Sequence, residues 1–131
     1  MDSLITVIKD NWLELVNHGK DLPKPFQQEV FLLNCHIAGT SHSDAAKEKA
    51  EIIKPGLPLT LKREPANKYD GLAIAVYLSS GERIGYVPQK HNSVISRLMD
   101  AGKLIFAKVT EAELKGDWLH ARMDIFLKDF A

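Results

Sequence analysis

The chain has 131 residues, a length that suits one domain with a single hydrophobic core. Apolar residues make up 45% and charged residues 26%, as in an average globular protein, which argues against a disordered or fibrous class. Seventeen basic residues balance seventeen acidic ones, so extensive binding to duplex phosphates is disfavoured and any contact with nucleic acid should be small and local.

Targeting and redox signals predict an intracellular, cytoplasmic protein. The longest apolar stretches, such as LAIAVYL at 72–78, are too short to span a bilayer, so we expect no membrane contact. Asp2, Lys9 and Asp10 break the pattern of a signal peptide. The single cysteine, Cys35, excludes an internal disulfide and a thiolate metal cluster.

An apolar stripe near the N-terminus predicts an amphipathic helix, with residues spaced by three or four: Leu4, Ile5, Ile8, Trp12, Leu15 and Val16. We expect this helix within residues 1–20, followed by a linker at 21–28 and a folded domain at 29–131. The helix either packs on that domain or binds a protein partner, and no sequence feature separates the two interpretations.

From residue 29 the apolar period changes to two. Phe31, Leu33, Cys35 and Ile37 alternate with polar and apolar neighbours, which predicts a strand with this set facing the core and His36 facing away. The pattern then predicts a short helix capped by Ser41 and Asp44, strands at 57–63, 72–78 and 83–88, a helix at 94–99, and strands at 103–114 and 117–127. Six strands with inserted helices and no βαβ rhythm predict a mainly β fold, a small curved antiparallel barrel. Gly85 marks a bulge or a close approach.

Catalytic chemistry finds little support in the sequence. Cys35 lies mid-strand on the predicted core side, which is typical of an inert thiol. His36, His42 and Asp44 are close in sequence, but their spacing matches no common metal-ligand pattern. No motif of a serine hydrolase, phosphate-binding loop or zinc protease is present, so we expect no catalytic residue, metal or cofactor.

The densest polar cluster is REPANKYDG at 63–71, between two apolar strands. Turn chemistry accounts for its proline, asparagine, aspartate and glycine, because these residues fix or bond their own backbone. It does not account for Arg63 in the apolar register of a strand, or for Tyr69 at a loop tip. An exposed aromatic ring beside an arginine and a carboxylate can stack on a base and bond its edge, and Tyr86 is a candidate second ring.

Three motifs resemble the HIRAN domain family over residues 29–127: HIAGT at 36–40, LPLTLKREPANKYDGLAIAVY at 57–77 and GERIGYVPQ at 81–89. The resemblance implies an OB-like β-barrel, in agreement with the strand count. In members attached to fork-remodelling helicases, the domain captures the 3′-hydroxyl end of single-stranded DNA. This chain resembles the small stand-alone members found in bacteria.

The resemblance also implies site residues. Tyr69 matches the family's stacking tyrosine, Asp70 the carboxylate that accepts a hydrogen bond from the terminal hydroxyl, and Asn67 the polar residue before them. Tyr86 stands where helicase-linked members have a histidine, and His36 where they have a tyrosine that faces the bases. The DNA-binding set expected from these matches, the charged neighbours included, is His36, Arg63, Asn67, Tyr69, Asp70, Tyr86 and Lys90.

Two departures from the family pattern predict modest affinity: Cys35 replaces an arginine, and Gln89 replaces a basic residue. The sequence thus predicts a non-enzymatic module that binds the 3′ end of single-stranded DNA in repair or replication. The alternative is a protein-interaction or scaffold domain without nucleic-acid binding. A nuclease is disfavoured, because Asp70 has only Glu64 nearby as a second metal-binding carboxylate.

Overall fold

The computed structural model describes residues 27–130 of the chain. The helix predicted within residues 1–20 lies outside the described residues, and the first strand begins inside the predicted linker. Within the described part, no helix combines the length and the apolar character needed to cross a membrane.

Six strands form one antiparallel sheet, in the order β1-β6-β5-β2-β3-β4. The strands are β1 (Gln27–His36), β2 (Pro58–Arg63), β3 (Ile74–Leu78), β4 (Arg83–Tyr86), β5 (Leu104–Lys115) and β6 (Trp118–Phe130). A 3₁₀ helix (Thr40–His42) and helix α1 (Asp44–Glu48) follow β1, and helix α2 (Gln89–Asp100) follows β4. This is the predicted succession of strands and helices, and the mainly β class is confirmed.

The sheet curls until its two edges meet at one point. Ala38, just after β1, and Tyr86 of β4 exchange two backbone hydrogen bonds of 2.8 Å. Beside this bridge, a Cβ on Gly85 would lie 2.5 Å from the carbonyl oxygen of Ala38, so the predicted close approach is confirmed. The fold is a partial barrel rather than a fully closed one, because β4 has four residues and Pro88 begins the turn into α2.

The core lies on the inner face of the curled sheet. In β6 the residues Leu119, Ala121, Met123 and Ile125 are buried, as their alternation predicts. Cys35 is also buried, and this burial raises the pKa of its thiol to about 11, as suits an inert core residue.

A bulge in β1 overturns one prediction. The register against β6 shifts between Phe31 and Leu33, so Leu32 is an extra residue in the ladder. The extra residue inverts the alternation, and Phe31 pairs with Phe126 on the outer face, where it is 55% exposed. The prediction that Phe31 faces the core is therefore wrong.

The predicted cap of the first inserted helix is also wrong. Ser43 begins α1, and its hydroxyl oxygen accepts a hydrogen bond of 3.1 Å from the backbone N–H of Ala46. Ser41 lies in the preceding 3₁₀ helix, which brings the cap two residues later than expected, and Asp44 is the first helical residue.

Candidate nucleic-acid interface

The loop between β2 and β3 is held in shape by Asn67. Its Oδ1 accepts hydrogen bonds from the backbone N–H groups of Tyr69 and Asp70, at 2.9 and 3.1 Å. Its Nδ2 donates to Oε1 of Glu64 at 3.0 Å. This is the geometry of an Asx turn, and it places Tyr69 at the loop tip with 84% of its surface exposed.

Arg63 also stabilises this loop by hydrogen bonds from its guanidinium. Its guanidinium donates to the backbone carbonyls of Ala73 and Gly71, at 2.9 and 3.2 Å, and to Oδ1 of Asp100 in α2, at 2.9 Å. These bonds explain why an arginine occupies the apolar register of β2: it ties the loop carbonyls of Gly71 and Ala73 to α2, and Ala73 also accepts from the backbone N–H of Glu64 at 2.9 Å.

The carboxylate of Asp70 is oriented by donors from two elements. Its Oδ1 accepts from the backbone N–H of Leu72 at 2.9 Å, and its Oδ2 accepts from Nδ2 of Asn92 at 2.8 Å and from Nε2 of Gln89 at 3.5 Å. The Leu72 bond, followed by the Asn92 bond, lowers the pKa of Asp70 below its ordinary value. Asp70 is therefore ionised at neutral pH, and its remaining lone pairs can accept from a ligand.

Tyr86 joins the loop through Glu64. Its hydroxyl donates to Oε1 of Glu64 at 2.8 Å and accepts from Nη1 of Arg83 at 3.0 Å. Burial, aided by the bond to Glu64, raises the pKa of the Tyr86 phenol, which stays protonated. Burial also raises the pKa of Glu64, but the hydrogen bonds from Asn67 and Tyr86 and the charge of Arg83 outweigh it, so the pKa lies below its ordinary value.

These groups line one depression of about 520 Å³, which we call the loop cleft; its walls include Glu64, Asn67, Lys68, Tyr69, Asp70, Arg83, Tyr86 and Asn92. The loop cleft combines two aromatic rings, an oriented anionic acceptor and two cationic side chains. Such a set can stack on a planar ring, accept from a hydroxyl group and pair with a phosphate. In the described range 27–130, no three metal-ligating side chains gather as a metal site would require.

The structure brings four of the seven predicted site residues together in the loop cleft: Asn67, Tyr69, Asp70 and Tyr86. Arg63 acts on the loop instead, and Lys90 lies exposed in the first turn of α2 outside the cleft lining. His36 lines a second depression of about 480 Å³, which we call the hairpin cleft; its walls include Glu111, Glu113, Lys115, Trp118, His120 and Arg122. Only one residue, Ile37, separates His36 from Ala38, which lines the loop cleft.

Sequence reasoning missed Asn92 and Arg83, and treated Glu64 only as a neighbouring carboxylate. Asn92 carried a signal, because it occupies the buried face of α2 three residues before Ile95, where an apolar residue is the norm. Arg83 carried none, since a charged residue on an exposed strand position is ordinary.

Comparison with known proteins gives a family and a fold. The family model described as "HIRAN domain" matches residues 30–128. No curated protein matches the sequence.

Solved structures share the fold at low identity. A protein from Lactobacillus plantarum is 23% identical, over 79% of this chain and 98% of its own, with a TM-score of 0.72. The crystal structure of the HIRAN domain of human HLTF is 18% identical, over 78% of this chain and 80% of its own, with a TM-score of 0.63. The NMR structure of the HLTF HIRAN domain in its DNA-bound conformation is 19% identical, over 76% and 79%, with a TM-score of 0.52.

Proposed function

Because the chain belongs to the HIRAN domain family, we propose that it is a non-enzymatic DNA-binding module that captures the 3′-hydroxyl end of single-stranded DNA. The observation that carries the proposal is the oriented carboxylate of Asp70, which shares the loop cleft with the rings of Tyr69 and Tyr86. The similarity to an HLTF HIRAN domain in a DNA-bound conformation supports DNA as the class of ligand.

In this mechanism the terminal base stacks on Tyr69, and Tyr86 provides the second aromatic surface. Stacking contributes about 1–3 kcal/mol per base. Asp70 accepts a hydrogen bond from the terminal 3′-hydroxyl group, and a bond to a charged group contributes about 1.5–3 kcal/mol. After the entropy lost on association, these terms are consistent with micromolar-class affinity.

Charged and neighbouring residues extend the site. Lys68 and Arg83 line the loop cleft and offer positive charge to the terminal phosphates. We assign His36 to the base upstream of the terminal one, and Lys90 to the backbone of the incoming strand. Arg63 acts indirectly, by holding the loop that carries Tyr69 and Asp70. The folded module supplies binding, and a partner enzyme in DNA repair or replication supplies the chemistry.

Fluorescence anisotropy with 5′-labelled single strands tests end capture directly. A strand that ends in a 3′-phosphate lacks the donor and places a dianion against Asp70, so we expect it to bind at least about 10-fold more weakly than the 3′-hydroxyl strand. Strands labelled at an internal base, with and without a 5′-phosphate, serve as the control and should bind equally. Equal affinities for the two 3′ ends would contradict the proposal.

A scaffold domain without nucleic-acid binding is the second candidate, and the internal bonding of the loop favours it: Arg63 and Asn67 both direct hydrogen bonds to atoms of the loop itself. Tyr69→Ala separates the two, because Tyr69 is 84% exposed and its removal should leave the fold intact. If the protein captures DNA ends, Tyr69→Ala should lower the affinity for DNA at least 5-fold and leave the circular dichroism spectrum unchanged. If it is a scaffold, either the parent protein does not bind DNA or the substitution unfolds the domain.

A further inference from the structure

The outer face of the sheet carries an apolar patch at the start of the described chain. Phe31, Phe126 and Phe106 lie side by side on β1, β6 and β5, with ring centroids 6.0 and 5.3 Å apart. Leu104 lies two residues before Phe106 on the same face and is 53% exposed. We call Phe31, Leu104, Phe106 and Phe126 the outer patch. Contiguous exposed apolar groups of this kind mark a surface that contacts another apolar surface.

The chain itself supplies a segment within reach. Twenty-six residues precede Gln27, whose partner in the ladder is Phe130 at the same end of the sheet as the outer patch. Phe31 is four residues further along β1, about 13 Å away at the usual rise of a strand. Residues 18–26 span up to about 30 Å when extended, which is enough for the chain to turn back onto the patch.

The earlier part of the segment has the pattern that the outer patch requires. Its apolar stripe runs from Leu4 to Val16 and includes Trp12, whereas Asp10 and Glu14 fall on the opposite side of a helical wheel. Fifteen helical residues extend about 22 Å, and three strands are about 10 Å across, so one helix covers the patch.

We propose that residues 3–17 form a helix whose apolar stripe packs on the outer patch of the same chain. The Nζ atoms of Lys108 and Lys128 lie over the rings of Phe106 and Phe126, 5.2 to 5.7 Å from the centroids, and the docked helix moves these flexible ammonium groups to the rim of the patch, where they stay in water. None of the four patch residues lines the loop cleft, and the docked helix leaves the proposed DNA site open.

Tryptophan fluorescence of the full chain tests this docking. The chain has two tryptophans, so Trp118→Phe leaves Trp12 as the sole emitter. We expect Trp12 to emit at shorter wavelength than in the urea-unfolded chain and to be protected from acrylamide. Adding Phe31→Ser and Leu104→Ser should shift the emission to that of the unfolded chain. Leu114→Ser, at an exposed apolar site near the far end of β5, is the matched control and should change nothing.

An unfolded-like emission in the Trp118→Phe chain, or an emission that ignores the patch substitutions, overturns the proposal. A blue shift that disappears on dilution together with a dimer mass in sedimentation assigns the patch to a second copy and also overturns it. If the double substitution abolishes the strand signal in circular dichroism, Leu104→Ser alone decides, by a red shift or its absence. Compared with the Trp118→Phe chain, the patch substitutions should leave affinity for a 3′-hydroxyl strand unchanged, which keeps this test separate from that of the proposed function.

Discussion

The loop cleft and the hairpin cleft are similar in size and both present aromatic rings, but they differ in how their polar groups are held. In the loop cleft, the acceptor Asp70 receives hydrogen bonds from the loop itself and from α2. In the hairpin cleft, Trp118 and His120 lie 3.9 Å apart between ring centroids on one strand, and Arg122 donates to Asn34 of the adjacent strand.

The difference separates two ways of recognising a strand. The rings of Trp118 and His120, tilted 41° to each other on the sheet surface, offer stacking that tolerates any base and any position along a strand. A carboxylate that several hydrogen bonds hold in place binds only a donor group at one position. Because the carboxylate is already ordered, binding costs less conformational entropy. We therefore expect the loop cleft to distinguish a 3′-hydroxyl from a 3′-phosphate, and the surface around His36 to contribute only base stacking.

The largest expected effect comes from Gly85→Ala, which acts on the closure that both clefts share. A Cβ there would lie 2.5 Å from the Ala38 carbonyl oxygen and 2.6 Å from Cγ2 of Ile37. We expect a loss of about 3 kcal/mol in the free energy of unfolding and a fall in Tm of about 10 °C, measured by thermal circular dichroism. Gly71→Ala is the matched control, because its Cβ would meet only the Pro65 carbonyl oxygen at 3.8 Å. Equal Tm values for the two variants would show that closure does not depend on this contact.

Asp70→Asn should abolish the preference for a 3′-hydroxyl over a 3′-phosphate strand and leave the fold in place. The neutral amide accepts more weakly than the carboxylate, so affinity for a 3′-hydroxyl strand should fall by about 2 kcal/mol, or about 30-fold. Affinity for a 3′-phosphate strand should not fall, because the repulsion is lost as well. Glu111→Gln removes a carboxylate from the hairpin cleft and should alter neither value. If the Asp70→Asn variant keeps this preference, another residue distinguishes the two strand ends.

Much of this architecture could be anticipated because it depends on local patterns. The strict alternation in β6 and in β2 fixes which side chains face the core, and the resemblance in the 63–71 stretch pointed to Tyr69 and Asp70. The bulge at Leu32 could not be anticipated, since β1 is apolar on both sides of it and either register buries a leucine.

The remaining site residues depend on contacts between distant parts of the chain. Asn92 meets Asp70 across 22 residues, and Arg63 meets Asp100 across 37, only after α2 folds back beside the loop. Turn rules describe neither pair. Arg63 looked like a ligand contact because its partners, Ala73 and Asp100, carry no signature in sequence.

Asn92→Ala tests whether the fixed acceptor, rather than the mere presence of a carboxylate, distinguishes the loop cleft. Asn92 is 4% exposed and donates 2.8 Å to Oδ2 of Asp70. Without it Asp70 gains freedom, and we expect about 5-fold weaker binding of a 3′-hydroxyl strand, equivalent to about 1 kcal/mol. Asn34→Ala, which removes a comparable amide bond to Asp124 and the acceptor of Arg122 beside the hairpin cleft, should leave the preference for a 3′-hydroxyl over a 3′-phosphate strand unchanged. Equal losses in both variants would indicate a general loss of stability instead.

The smallest expected effect is a dependence of stability on pH that originates in the loop cleft. The pKa of Glu64 in the folded protein lies below its ordinary value of 4.5, so Glu64 stabilises the fold above that pH and this contribution is lost as the pH falls through the lowered pKa. Glu64→Gln should therefore reduce the free energy of unfolding at about pH 7, and the difference from the parent should shrink towards about pH 3. Urea denaturation at both pH values measures it, with Glu113→Gln in the hairpin cleft as the control. If the loss in the free energy of unfolding is the same at both pH values, Glu64 stabilises the fold through its hydrogen bonds and not through its charge.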